Sequence, residues 1–221
     1  MTVLEQKLNE LKERLATMAA IAEEMVSNSI KSLVKRDDAL ARHVIEDEED
    51  RVNHMEIEIE DAAINLIALY QPEASNLRTI TMIIKINNDL ERLGDHAVNI
   101  AEAAQFLIAQ SMVKPLIDLP RMSEFAIAML KDALDSFARS DAALARDVCR
   151  RDSVVDSLKD QITRELVTYM TSDAHTIDRS LKLMMVALNL ERIADHATNI
   201  AEDVVYMATG EVIKHGTGLP C

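Results

Sequence analysis

An internal duplication constrains this chain more than any other feature. Leu90-Glu-Arg-Leu-Gly-Asp-His-Ala-Val-Asn-Ile-Ala-Glu102 returns as Leu190-Glu-Arg-Ile-Ala-Asp-His-Ala-Thr-Asn-Ile-Ala-Glu202. Ten of the 13 positions are identical at an offset of 100, and the other three exchange similar side chains. Leu40-Ala-Arg42 matches Leu144-Ala-Arg146, and Val52, Met55 and Ile59 match Val155, Leu158 and Ile162. The offset drifts from 104 to 100 along the repeat, which points to differences in loop length. Two copies of one unit imply pseudo-twofold architecture, and any site carried by the unit should occur twice.

The unit is helical. Leu4, Leu8, Leu11, Leu15, Met18, Ala22 and Met25 step by 4 and 3 in strict alternation. That is a heptad seam, which favours nearly antiparallel packing against neighbouring helices. Lys35-Arg36-Asp37-Asp38 ends the first helix. A second is predicted from about Asp38 to Tyr70, with Val52, Met55, Ile59, Ala62, Leu66 and Leu69 as its apolar row. Pro72 suits the first turn of a third helix running to about Ser111. The only proline-rich joint, Lys114-Pro115 to Pro120, marks a boundary between residues 1–114 and 115–221. The second half repeats the plan: a helix from about Pro120 to Arg139, one to about Met170 after a Ser140-Asp141 turn, and one from a Ser172-Asp173 cap to Gly210. Residues 211–221 read as a frayed tail. The expected fold class is all-α: two tandem three-helix bundles, six long antiparallel helices, related by a pseudo-twofold axis.

Composition narrows the function. With 4 Gly, 4 Pro, no Trp and only six Phe and Tyr, the 221 residues lack the turn punctuation of a sandwich, a barrel or a Gly-rich nucleotide-binding fold. Twenty-four basic against 38 acidic residues leave a net charge of −14, which repels nucleic-acid backbones and suits cations or basic partners. Cys149 and Cys221 make no CxxC. The charged N-terminus and short apolar runs indicate a soluble cytoplasmic protein.

The repeated segment carries the chemistry. On a helix, Leu90, Leu93, Gly94, Ala97, Ile100 and Ala101 share an apolar face. Beside it, Glu91, Asp95, Asn99 and Glu102 form an oxygen-rich stripe, copied as Glu191, Asp195, Asn199 and Glu202. Like charges four residues apart destabilise a helix by a few tenths of a kcal/mol, so something should offset them. The preceding helix carries Asp152-xxx-Asp156 in the second repeat and Glu49-xxx-Asn53 in the first. Where two such helices pack side by side, four or more oxygens converge, a donor set for Mg, Mn or Fe rather than Ca. The plainer reading is a solvated face balanced by Arg92 and Arg192. No His has a Glu three residues before it, against the di-iron oxidase pattern, and no HExxH, P-loop or GxSxG occurs. His96 and His196 point off the stripe, as interface or capping residues would.

These residues resemble the PhoU family, the accessory regulators of bacterial phosphate uptake and signalling. The carrying segments are Gln71-Pro-Glu-Ala-Ser-Asn-Leu-Arg78, the paired LER(L/I)(G/A)DHAxNIAE motifs and the acidic stretch after Val44-Ile-Glu46. The resemblance spans essentially the whole chain. It implies a non-enzymatic adaptor between the ATPase side of a phosphate ABC transporter and a membrane sensor histidine kinase, repressing the starvation response when phosphate is plentiful. It further implies a homodimer, no nucleic-acid partner and membrane contact only through partners. It also implies metal, iron foremost with Mn, Mg or Zn as alternatives, in multinuclear clusters. One cluster would use Glu49, Asn53, Glu91 and Asp95, and the other Asp152, Asp156, Glu191 and Asp195. The first departs from the family pattern at Asn53. One extra residue between Val44 and Val52, compared with Val148 to Val155, leaves the register of Glu48, Glu49 and Asp50 open. The second site is therefore expected to be the better defined. The alternatives are a carboxylate-bridged metalloenzyme and a purely structural helical dimer.

Overall fold

The computed structural model describes residues 2–211 and 213; most of the tail read as frayed lies outside them. Helix α1 (Val3–Lys35) opens on a capping box in which the Thr2 hydroxyl accepts from the Glu5 amide and the Glu5 carboxylate accepts from the Thr2 amide. It closes at Arg36, whose left-handed φ of 56° turns its N–H back to the carbonyls of Ser32 and Leu33. The heptad row is buried from Leu8 to Met25.

The second rod is not a plain α-helix. Helix α2 (Asp38–His43) passes through a π-helical segment, Val44–Glu48, into α3 (Glu49–Tyr70) without leaving right-handed helical dihedrals. A π turn accommodates one extra residue in a helix. This absorbs the surplus residue between Val44 and Val52, so the drift in repeat offset is not wholly a matter of loops. The other three residues of drift arise between Ile59 and Leu90, where the turn joins α3 to α4 (Ala74–Ile108). Pro72 lies in that turn, two residues ahead of the helix rather than inside it.

Helix α5 (Asp118–Arg139) starts two residues before the expected point and keeps Pro120 in its first turn, where a missing N–H costs no helical bond. Ser140, at φ 53°, ends α5, and Asp141 caps α6 (Ala142–Ser172) by accepting from the amides of Ala143 and Leu144. Asp173 caps a short 3₁₀ turn, Ala174–Thr176, before α7 (Ile177–Thr209), which stops at Gly210. Among the described residues there is no strand, and no helix is long and apolar enough to cross a membrane.

Helices α1, α3 and α4 pack on one another, as do α5, α6 and α7. The two triplets meet along α4 and α7, with α1 also lying on α5. Their buried apolar side chains form one continuous cluster. Each fully buried Leu, Ile or Met contributes about 1.5–3 kcal/mol relative to exposure, so this shared core holds the rods in register. The joint between the triplets is clamped. Lys114, with 3% of its side chain exposed, reaches Glu165 and Asp118, while Arg36 donates to the carbonyls of Ile108 and Gln110. Across the α4–α7 contact the repeats interlock reciprocally. His96 Nδ1 meets Asn189 Oδ1 at 2.9 Å, His196 Nδ1 meets Asp89 Oδ1 at 2.8 Å, and the two rings lie 5.5 Å apart.

Candidate metal centres

The repeated motif lies mid-helix on α4 and α7, apolar face inward. Leu90, Leu93, Ala97, Ile100 and Ala101 and their counterparts are all buried. This leaves Glu91 and Asp95, and Glu191 and Asp195, half-buried at the margin where α3 or α6 packs alongside.

In the second repeat, Asp152 on α6 faces three other carboxylates. Burial first, then Asp156, Asp195 and Glu191, push its carboxyl up to about 6. Burial and Glu191 raise Asp195 as well. One buried oxygen lacks a hydrogen-bond partner here, Oε2 of Glu191. Cations already compete for this set. Lys159 Nζ lies 3.3 Å from Glu191 Oε1, and Arg192 lies 3.2 Å from Asp195 and 3.7 Å from Glu191. Asp156 is exposed at the rim.

In the first repeat the π segment sorts three consecutive acids. Glu48 turns into the protein, 1% exposed, where Asn28 Nδ2 donates to its Oε1 at 3.0 Å. Glu49 faces α4, its carboxyl raised by burial and then by Asp95, Asp50 and Glu102, while Asp50 is exposed. Glu91 is raised by burial and then by Asp95, with Arg92 opposing and Glu56 adding to the rise. Asn53 is exposed on the same helix.

The sets therefore differ in composition. Glu49, Asn53 and Glu56 stand where the second repeat has Asp152, Asp156 and Lys159. The first set gains an acid one turn further on, and the second gains a lysine. Both Glu56 and Lys159 were legible in the repeat alignment but escape an ExxxD pattern, which stops at the fourth residue.

Among the described residues no three His, Cys, Asp or Glu are preassembled at metal-holding geometry. The donor chemistry nevertheless fits a hard or borderline cation. It offers crowded carboxylates whose anionic forms are disfavoured, and a buried Glu191 oxygen that has no hydrogen bond and only a 3.7 Å ion pair with Arg192. Among the described residues the histidines form no ligand cluster. His96 and His196 face each other across the repeats, His43 binds Asp47 at 2.6 Å, His54 meets the Asp50 carbonyl, and His175 binds Asp173. Cys149 is buried.

The fold and its repeat have relatives among known proteins. The PhoU domain model matches twice, over residues 15–104 and 119–204. A phosphate-specific transport system accessory protein PhoU homolog of Aquifex aeolicus is 42% identical over 210 residues, 95% of each chain. A second such homolog, from Thermotoga maritima, is 39% identical over 96% of this chain and 90% of its own. The crystal structure of PhoU from Pseudomonas aeruginosa superposes with a TM-score of 0.90 at 36% identity, covering 94% of this chain and 99% of that one. The phosphate transport system regulatory protein PhoU from Streptococcus pneumoniae gives a TM-score of 0.87 at 27% identity, over 95% and 99%. The duplicated three-helix unit, its paired motifs and these full-length matches have one meaning: the chain belongs to the PhoU family.

Proposed function

We propose that this chain is a regulatory accessory protein of phosphate transport, acting as a metal-binding adaptor rather than an enzyme. Membership of the family supports the coarser part, since its relatives carry the names phosphate-specific transport system accessory protein and phosphate transport system regulatory protein. The finer part is that it works in the cytoplasm as a homodimer of chains that each carry two PhoU units, 1–114 and 115–221. It represses uptake and the starvation response by linking the transporter's ATPase subunit to a sensor histidine kinase. A chain of net charge −14 suits partners with basic faces, for which complementarity sets encounter rate and specificity.

The observation that supports the metal role is the crowding of Asp152 by Asp156, Asp195 and Glu191 in one repeat and of Glu49 and Glu91 by Asp95 in the other; Asn53 is assigned to the first set by its place in the repeat. Iron is the first choice, with Mn, Mg or Zn as alternatives. When bound, the ion supplies the positive charge that crowded carboxylates otherwise take from protons, lysine and arginine. Glu191 would exchange Lys159 for the ion, and Asp195 would exchange Arg192.

The test is a starvation-promoter reporter in phosphate-rich medium. Cells lacking the chain should express it, and the wild type should silence it. A variant with Glu49, Glu91, Asp95, Asp152, Asp156, Glu191 and Asp195 changed to Ala should leave it active. Full silencing by that variant would separate regulation from the acid stripes, and no silencing by the wild type would overturn the adaptor reading.

A further inference from the structure

Between α3, α4 and α7 lies an open cleft of about 540 Å³, inside the size range of small-molecule sites; it borders the first acid set at Glu56 and the second oxygen stripe at Asn199 but includes none of the carboxylates Glu49, Glu91, Asp95, Asp152, Asp156, Glu191 and Asp195. Its walls carry four carboxylates, Glu56, Glu60, Asp89 and Asp203, against Lys85 and Arg92. Asp203 is paired with Lys85 at 3.3 Å and Asp89 with His196 at 2.8 Å. The carboxylates of Glu56 and Glu60, one turn apart on α3, have no ion pair or hydrogen bond among the described residues. Burial first, then repulsion by Glu60, raises the Glu56 carboxyl. The floor holds a second, independent sign. Asn87 is 1% exposed and lines the cleft. Its Nδ2 is spent on the Glu56 carbonyl at 2.9 Å, which leaves a buried Oδ1 with no donor. A buried acceptor without a partner costs about 1–3 kcal/mol.

The repeat provides an internal comparison. The positions matched to Lys85, Asn87, Asn88 and Asp203 are Met185, Ala187, Leu188 and Ala103, and Glu56 and Glu60 correspond to Lys159 and Thr163. The pseudo-twofold-related face therefore lacks these carboxylates, carrying Lys159 and Thr163 beside Met185 and Leu188, which are about half exposed. Packing the two repeats together does not require the polar residues, because the same α4–α7 joint closes without them on the other side.

We infer that this cleft binds a small aliphatic polyamine, one ammonium seated on Glu56, Glu60 and the Asn87 carbonyl oxygen and a second reaching towards Asp89 and Asp203. An ammonium presents three N–H donors and no acceptor, which matches the two carboxylates on the α3 wall and the unpartnered Asn87 oxygen in the floor. The excess of carboxylates repels anions such as phosphate. The volume exceeds what a hydrated ion needs, at about 30 Å³ per water.

Calorimetric titration of the purified chain with spermidine at low ionic strength tests this. The expected result is one saturable site. Affinity should fall about tenfold or more in Glu60→Gln, an exposed isosteric change, and in Asn87→Ala, as loss of a charge-assisted or buried bond implies. Lys85→Met/Asp203→Ala, which imports the residues of the other repeat, should also weaken it, and Glu10→Gln/Glu13→Gln should leave it unchanged. Many weak equivalent sites, or affinity unmoved by the cleft variants, would reduce binding to attraction by the net charge and overturn the site. A Mg²⁺ isotherm lost in Asn87→Ala with no spermidine isotherm would reassign the cleft to a hydrated cation. Binding of inorganic phosphate in the cleft would overturn the charge argument.

Discussion

Asp152 shows how a single side chain records the crowding of carboxylates around it. Its folded value of about 6 lies above the ordinary 3.8, so folding favours the protonated form. The stability this provides is complete below about pH 4 and is lost as pH rises through about 6. Glu49, Glu91 and Asp195 are shifted in the same direction. Chelator-treated protein should therefore melt at a higher temperature at pH 5 than at pH 7.5, and Asp152→Asn should remove much of that difference. A wild type more stable at pH 7.5 would contradict the crowding. Glu48 supports a second prediction. It is buried, raised by desolvation, and its Oε2 lacks a partner although Oε1 accepts from Asn28. Glu48→Gln should keep that acceptor and remove the buried charge, raising the melting temperature at pH 8 with little effect at pH 5. A fall at pH 8 would mean that the charge itself is needed. The acids were individually legible in the sequence, but their division into inward Glu48, site-facing Glu49 and outward Asp50 was not. That choice depends on the rotation the π segment introduces.

At the scale of elements, period was the reliable guide. The α1 heptad row and the buried face of the paired motifs follow from 3.6-residue geometry and appear as read. The row of α3 was read one turn too far, since Leu69 is 75% exposed and Ala63 rather than Ala62 is fully buried. Near a helix end there is no longer a neighbour to cover the stripe. The π segment was visible only as a surplus residue. A one-residue insertion has two outlets, a loop or a wider turn, and the choice is made by the packing of Val44 and Val52, both buried. Gly94 gives a quantitative test at this scale. A Cβ there would meet Val52 Cγ1 at 3.5 Å and Met25 Cε at 3.6 Å, ordinary contact distances, and the other repeat has Ala194. Gly94→Ala should stabilise by about 0.5–1 kcal/mol, raising the melting temperature by about 1–4 °C. A loss of stability would show that the α3–α4 contact is tighter than these distances.

For the whole molecule, the duplication foretold two similar units and two acid stripes but not how far the units merge. One apolar cluster runs through both, α4 lies along α7, and the joint is clamped by Lys114. Thermal unfolding should accordingly be a single cooperative transition, with calorimetric and van't Hoff enthalpies in agreement; two resolved transitions would contradict a shared core. The most direct measurement of the central claim is metal content by inductively coupled plasma mass spectrometry, on untagged protein purified without chelator. It compares the wild type with Asp152→Ala/Asp156→Ala/Glu191→Ala/Asp195→Ala. Two acid sets acting as separate sites predict bound iron or manganese in the wild type and about half as much in the variant, by the twofold count of the repeat. No metal above background in the wild type, even after reloading, would leave both stripes as solvated faces.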